Sequence, residues 1–210
     1  MDERLFALAP AQHEEVLNDE YLDEIVAAFA QVVDSKSPYT AGHSDRVALF
    51  TDMIAEAMGL STTERVWLKR IALLHDIGKL GVSNSILDKP GKLDEQEWEA
   101  MKRHAAYTEV ILSRVKAFED IAFIAASHHE RMDGKGYPRG ISGDQIPFET
   151  RIITTADVFD ALTAERPYRA AMPISKALAI MEKDLGVAID ETCFAALNRA
   201  LANTQADVAA

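Results

Sequence analysis

Apolar positions recur along this 210-residue chain at helical rather than strand spacing. Leu22, Ile25, Val26, Phe29 and Val33 share one face and predict a helix over 21–33, ended by Ser35-Lys36-Ser37-Pro38. A second helix is expected over 41–58, with Gly59 as its stop signal. Ser61-Thr62-Thr63-Glu64 reads as a capping box opening a third helix, which carries Trp67, Leu68, Ile71 and Leu74 and reaches His75 and Asp76. Residues 78–93 read as an irregular connection. Asp94 to Glu97 then opens a helix running through Trp98, Met101 and His104 towards Val115. Further helices are expected over 118–129, 148–164, 174–185 and 191–202, with 130–147 as the most irregular loop. No strand-like alternation and no internal repeat is present. The reading is one all-α domain over 21–205 behind a loose lead-in at 1–20. Trp67 and Trp98 lie on helical stripes and read as core.

Polar residues interrupt these apolar faces in a systematic way. His43, Val47, Phe50 and Ile54 fall at i, i+4, i+7 and i+11, which puts His43 on the apolar stripe of its helix. Leu68, Ile71 and His75 share a face, as do Met101, His104 and Thr108. Ile121, Ile124 and His128 share another, with His129 one residue round. Ile153, Asp157 and Asp160 repeat the pattern. A lone inward histidine is most simply a satisfied core residue. Five of the six, accompanied by carboxylates, are another matter, because each unpaired buried group costs on the order of 1–3 kcal/mol. A metal cluster satisfies them together. Imidazole mixed with carboxylate, without thiolate, suits iron or manganese and less distinctively zinc, nickel or cobalt.

Composition adds exclusions. The hydrophobic fraction of 48% and charged fraction of 27% fit a globular protein, and no apolar run is long enough to span a membrane. A net charge of −12 argues against broad binding to duplex nucleic acid. It also means that a phosphate-bearing substrate needs positive charge from metal ions or a few placed basic residues. The single cysteine, Cys193, excludes an internal disulfide, fits a reducing cytoplasm and reads as a small core residue.

The separated set His43, His75-Asp76 and Asp157 resembles the HD superfamily of metal-dependent phosphohydrolases. Four longer runs narrow the likeness to the HD-GYP subfamily. These are Asp34 to Val47, His75-Asp76-Ile77-Gly78-Lys79, His128-His129-Glu130-Arg131-Met132-Asp133-Gly134-Lys135-Gly136-Tyr137-Pro138, and Ala156-Asp157-Val158-Phe159-Asp160-Ala161-Leu162. The match covers roughly 34–169. Members of that subfamily are bacterial phosphodiesterases that hydrolyse cyclic di-GMP, and some act on related cyclic dinucleotides.

The resemblance implies residue roles. His43, His75, Asp76 and Asp157 would hold one metal. Asp76 would bridge to a second held by His104, His128 and His129. Lys79 would lie near a substrate phosphate, and Arg166 and Arg169 match basic residues that contact substrate. Asp160 matches a position near the attacking water, with holding a ligand or a basic neighbour as its alternative role. Tyr137 is a candidate for stacking on a base. Arg46 is read either as a salt bridge between helices or as a substrate contact. Where some members place a glutamate that holds a third metal, this chain has Tyr39, so two metals are expected and the step from linear dinucleotide to mononucleotides is in doubt.

Two dications about 3.5–4 Å apart lower the pKa of water and offset phosphoryl charge. The expected reaction converts cyclic di-GMP to linear pGpG, with further conversion to GMP left open. The rival readings are hydrolysis of another nucleotide such as cyclic GMP-AMP, and a non-catalytic module that binds cyclic dinucleotide or docks a partner. A GGDEF-domain protein is the expected partner class at the Gly-Tyr-Pro loop, and the first helix is expected to pack on its own domain or to pair with a second copy.

Overall fold

The computed structural model describes residues 18–38, 40–165 and 170–209, with side chains to 204. The described residues form an all-α bundle whose only strand-like feature is an isolated bridge between Leu185 and Ile189. Its helices are α1 (Asp19–Asp34), α2 (His43–Ala57), α3 (Thr62–Leu74), the short α4 (Asn84–Leu87), α5 (Glu95–Leu112), α6 (Glu119–Ala126), α7 (Phe148–Thr163), α8 (Ile174–Met181) and α9 (Glu191–Ala209). Tight 3-10 turns sit at Ile77–Gly81, Lys116–Phe118, Gly143–Gln145 and Glu182–Asp184. The elements follow the sequence periodicity closely, and the expected all-α class holds.

Both expected capping boxes are present. Ser61 N–H donates to Glu64 Oε2 at 2.8 Å, and Asp94 N–H donates to Glu97 Oε2 at 2.8 Å, with the reciprocal bonds closing each box. Gly59 adopts φ 80° just past α2, a conformation that stops a helix and that a side chain would resist. α2 forms the centre, packing on α3 and α7, with α9 closing over it and α1 lying on α3. α5 packs on α6 and on the Ile77–Gly81 turn. Val47, Ile54, Leu68, Ile71, Ile152, Ile153 and Leu197 fill the interior, and Cys193 is buried among them.

Three expectations need correction. Trp98 is not core: it is 46% exposed, because the buried stripe of α5 starts one turn later with His104, Ala105, Thr108 and Leu112. Phe29 is also more exposed than its stripe implied, since α1 buries Val26, Ala30 and Val33 instead. The helices expected to reach His75–Asp76 and His129 end earlier, at Leu74 and Ala126.

Candidate metal centre

Those early endings build the site. Within a helix, neighbouring residues point about 100° apart and cannot both address one centre. α3 stops at Leu74, His75 caps it, and Asp76 turns into the bridge region at φ −101°, ψ 8°. Both side chains then face inward, with 0% and 2% exposure. The same happens after α6, where His128 and His129 follow the helix end in a turn.

Three histidines are oriented by one device. His75 Nδ1 lies 2.6 Å from Ala72 O, His104 Nδ1 lies 2.7 Å from Met101 O, and His128 Nδ1 lies 2.7 Å from Ala125 O. A carbonyl only accepts, so each Nδ1 carries the proton and each Nε2 is left as a lone pair aimed at the centre. His43 is held differently: its Nδ1 lies 2.7 Å from Asp160 Oδ2, and Arg46 grips the same carboxylate through Nε at 2.5 Å. The Asp160 side chain is therefore paired with both His43 and Arg46. Burial opposes ionisation of Asp160, but His43 and Arg46 outweigh it and hold its carboxyl below the usual range.

Asp76 lies between two sets of imidazoles. Its Oδ2 is 3.4 Å from His43 Nε2 and 3.3 Å from His75 Nε2, and its Oδ1 is 3.5 Å from His104 Nε2 and 3.7 Å from His128 Nε2. Asp157 Oδ1 reaches His43 Nε2 at 3.4 Å. Lys79 forms an ion pair with Asp76 Oδ2. Burial raises the Asp76 carboxyl, but Lys79, His75 and His43 outweigh that and hold it well below the usual range. Three groupings bring ligand atoms close enough for an ion: His43, His75 and Asp157; His75, Asp76 and His128; and His104, His128 and His129.

The donors fit a cation better than they fit each other. His75 Nε2 and Asp76 Oδ1 are buried without a hydrogen-bond partner. His104 Nε2 and His128 Nε2 approach to 3.4 Å, although the carbonyls hold both protons on Nδ1, so two lone pairs face one another. Burial keeps both rings neutral, shifting His104 down and His128 well down, and His129 falls to about 3 for the same reason with His104 adding to it. His43 is the exception. Burial disfavours its charge, but Asp160, Asp76 and Asp157 outweigh this and raise it to about 9.

A cleft of about 440 Å³ opens beside His128, His129 and Asp157, within the range of small-molecule sites. Trp98, Lys102, Lys135 and Tyr137 are among its lining residues. Tyr137 lies beside His129 with ring centroids 4.7 Å apart and the planes tilted by 32°. Gly136 packs so closely that a Cβ would come within 2.5 Å of His129 O and Glu130 Cα, which only glycine allows. Glu130 belongs to the His128-His129-Glu130 run, where the sequence suggests no role for it. It is 2% exposed and accepts the N–H groups of Arg139 at 2.6 Å and Ile141 at 3.1 Å, tying the loop back to the histidine turn. Tyr39, Arg166 and Arg169 lie outside the described residues.

A family model described as HD domain matches residues 27–193. The chain is an HD domain protein. HD domains bind divalent metals, and the clustered His and Asp donors are of the kind that can hold them. Over 201 residues this HD domain chain is 63% identical to 3′3′-cGAMP-specific phosphodiesterase 3 of Vibrio cholerae, a match covering 96% of this chain and 44% of that protein. It is 39% identical over 184 residues to the cyclic di-GMP phosphodiesterase response regulator RpfG of Xanthomonas campestris pv. campestris, covering 87% and 49% respectively. A crystal structure of a cyclic GMP-AMP specific phosphodiesterase of Vibrio cholerae superposes with a TM-score of 0.60 at 60% identity, over 95% of this chain and 45% of that one. The chain thus spans about half the length of the curated relatives it matches. Among the described residues no helix is long and apolar enough to cross a membrane.

Proposed function

We propose that this chain is a metal-dependent phosphodiesterase domain of the HD-GYP type that opens cyclic dinucleotides to linear products. The observation that carries the reading is the convergence of the imidazole Nε2 atoms and both Asp76 oxygens on one buried centre with orphaned donors. In this reading His43, His75, Asp76 and Asp157 would hold one divalent ion, and His104, His128 and His129 would hold a second together with Asp76. Iron or manganese is favoured, with zinc, nickel and cobalt compatible with the same donors. Such ions supply Lewis-acid stabilisation of phosphoryl charge and lower the pKa of water.

The chain's own residues prepare the site. The carbonyls of Ala72, Met101 and Ala125 fix the tautomers, and Asp160 fixes the His43 ring. Lys79 places an ammonium beside Asp76, where it would face a phosphoryl oxygen. Tyr137 backs His129 and borders the cleft. Arg166 and Arg169 retain the substrate-contact role that their motif implies. With Tyr39 at the position of the third-metal glutamate, the linear dinucleotide is the proposed end product.

The sequence alone favours cyclic di-GMP, with pGpG as product. The higher identity to a 3′3′-cGAMP-specific enzyme supports 3′3′-cyclic GMP-AMP as the preferred substrate, with cyclic di-GMP as the second reading. The proposal also carries a cytoplasmic location and a GGDEF-domain partner at loop 130–147. Pairing through α1 is part of it as well, since α1 leaves Tyr21 and Val32 about half exposed.

The experiment is metal analysis with product chromatography on anaerobically purified protein given both dinucleotides. Linearisation of one or both, lost in Asp76→Ala, is expected. No turnover of either with any of the five metals would overturn the enzyme reading, and tight binding without product would favour the binding module.

A further inference from the structure

Trp98 has no place in the core and none in the metal cluster, yet it stands at the cleft. The residue is 46% exposed on the first turn of α5 and lines the same cavity as His128, His129 and Asp157. Tyr137 meets it nearly at right angles, 83° with centroids 6.1 Å apart, so the two rings form a corner of the cleft wall. Lys102 follows Trp98 by one helical turn and lines the cavity as well, as does Lys135 from the loop opposite. In a chain of net charge −12, two lysines on one cleft run against the overall trend. Arg131, also at the cleft, is committed to Asp133 at 3.1 Å. Lys102 pairs with Glu99 at 2.6 Å, but an ion pair at the surface contributes little and can be exchanged for a phosphate.

We propose that Trp98 is a purine-stacking wall for the substrate and that Lys102 and Lys135 face its second phosphate. The inference rests on the phosphodiesterase reading, because it needs a dinucleotide whose scissile phosphate sits over the His128, His129 and Asp157 floor. A cyclic dinucleotide carries two bases and two phosphates in one small ring, so a base must lie close to the reacting phosphate. An exposed indole is a platform for any purine, since stacking reads the ring face rather than its hydrogen-bonding edge. Trp98 therefore supplies affinity for cyclic dinucleotides as a class, and the choice between guanine and adenine falls to other residues.

Steady-state kinetics and fluorescence test this separately from the enzyme reading. Trp98→Ala should raise KM for 3′3′-cyclic GMP-AMP at least about fivefold while kcat changes little, and Trp98→Phe should recover most of the loss. The effect on bis(p-nitrophenyl) phosphate, a diester without a purine, should be several-fold smaller. An unchanged KM, or an equal loss on both substrates at full metal content, would overturn the proposal. The chain has two tryptophans, so in Trp67→Phe the emission comes from Trp98 alone. The cyclic dinucleotide should quench it and inorganic phosphate should not. Absence of quenching overturns the stacking role whether or not the compound is hydrolysed, whereas quenching without hydrolysis upholds it and counts against the enzyme reading only.

Discussion

His43 Nδ1 and Arg46 Nε both bind the carboxylate of Asp160, at 2.7 Å and 2.5 Å, so one buried side chain on α7 positions two residues of α2. Removing that charge leaves His43 free to turn and Arg46 with the Ala41 carbonyl but no ion-pair partner. Asp160→Asn should weaken metal binding by roughly 10- to 100-fold, the usual consequence of losing a carboxylate behind a ligating histidine. Isothermal titration with manganese, on protein first checked for an unchanged fold by circular dichroism, measures the loss. An unchanged affinity would remove Asp160 from the metal centre.

The pH behaviour of metal uptake follows from the contrast among the rings. His104, His128 and His129 are neutral and release no proton on binding, whereas His43 is protonated up to about pH 9. Manganese binding at pH 7.5 should therefore release a proton from His43, and affinity should rise towards pH 9. In the metal-free protein the sign reverses. A raised folded-state pKa contributes stability that is complete below about 6.5, the unfolded value, and lost as pH rises through about 9. The melting temperature of chelated protein should fall over that window, while calorimetry in buffers of different ionisation enthalpy counts the protons released.

Thr108 joins the two halves of the centre. Its hydroxyl donates to His75 O at 3.0 Å and accepts the N–H of Gly78 at 3.0 Å, linking α5 to the His75–Asp76 turn. Thr108→Val keeps the shape but strands both backbone groups, at a cost of about 1–3 kcal/mol in stability. Thr108→Ser should restore most of it. Gly78→Ala should be worse, because the added Cβ would lie 1.9 Å from His104 O and must push α5 away from the turn. Thermal melts rank the three variants. Metal content per chain should fall in the same order, and an alanine variant with full metal would refute the coupling.

Glu130 fastens the Gly-Tyr-Pro loop. Glu130→Ala leaves the N–H groups of Arg139 and Ile141 without their acceptor and should cost on the order of 2 kcal/mol. Limited proteolysis should then cut within 130–147 well before the rest of the chain unfolds. Equal resistance to that of the unaltered protein would show that the loop is held by other contacts.

Much of this was legible before the structure, for a specific reason. Helical periodicity places residues on faces, and His43, His104 and Asp157 sit within regular helices whose buried sides could be counted off directly. The pairs His75–Asp76 and His128–His129 were harder, because periodicity sends neighbours in different directions and no Gly or Pro marks where α3 and α6 stop. The side chains themselves supply the stop: the His75 and His128 rings take the carbonyls of Ala72 and Ala125, which the helix ends leave unsatisfied. Trp98 misled because a stripe shows direction but not where burial along it ends. Glu130 stands in the His128-His129-Glu130 run, but its role as the loop's anchor was not legible, since a carboxylate in a polar loop looks solvated until the chain folds over it.

Cys193 is fully buried, and burial together with the nearby Asp190 carboxylate pushes its thiol well above the usual range, which leaves it unreactive. As the chain's single cysteine it does not compete with a thiol placed at the surface. A spectroscopic label attached through a cysteine introduced on loop 130–147 would thus report from one position, and the opening of the cleft could be followed in solution without first altering the interior.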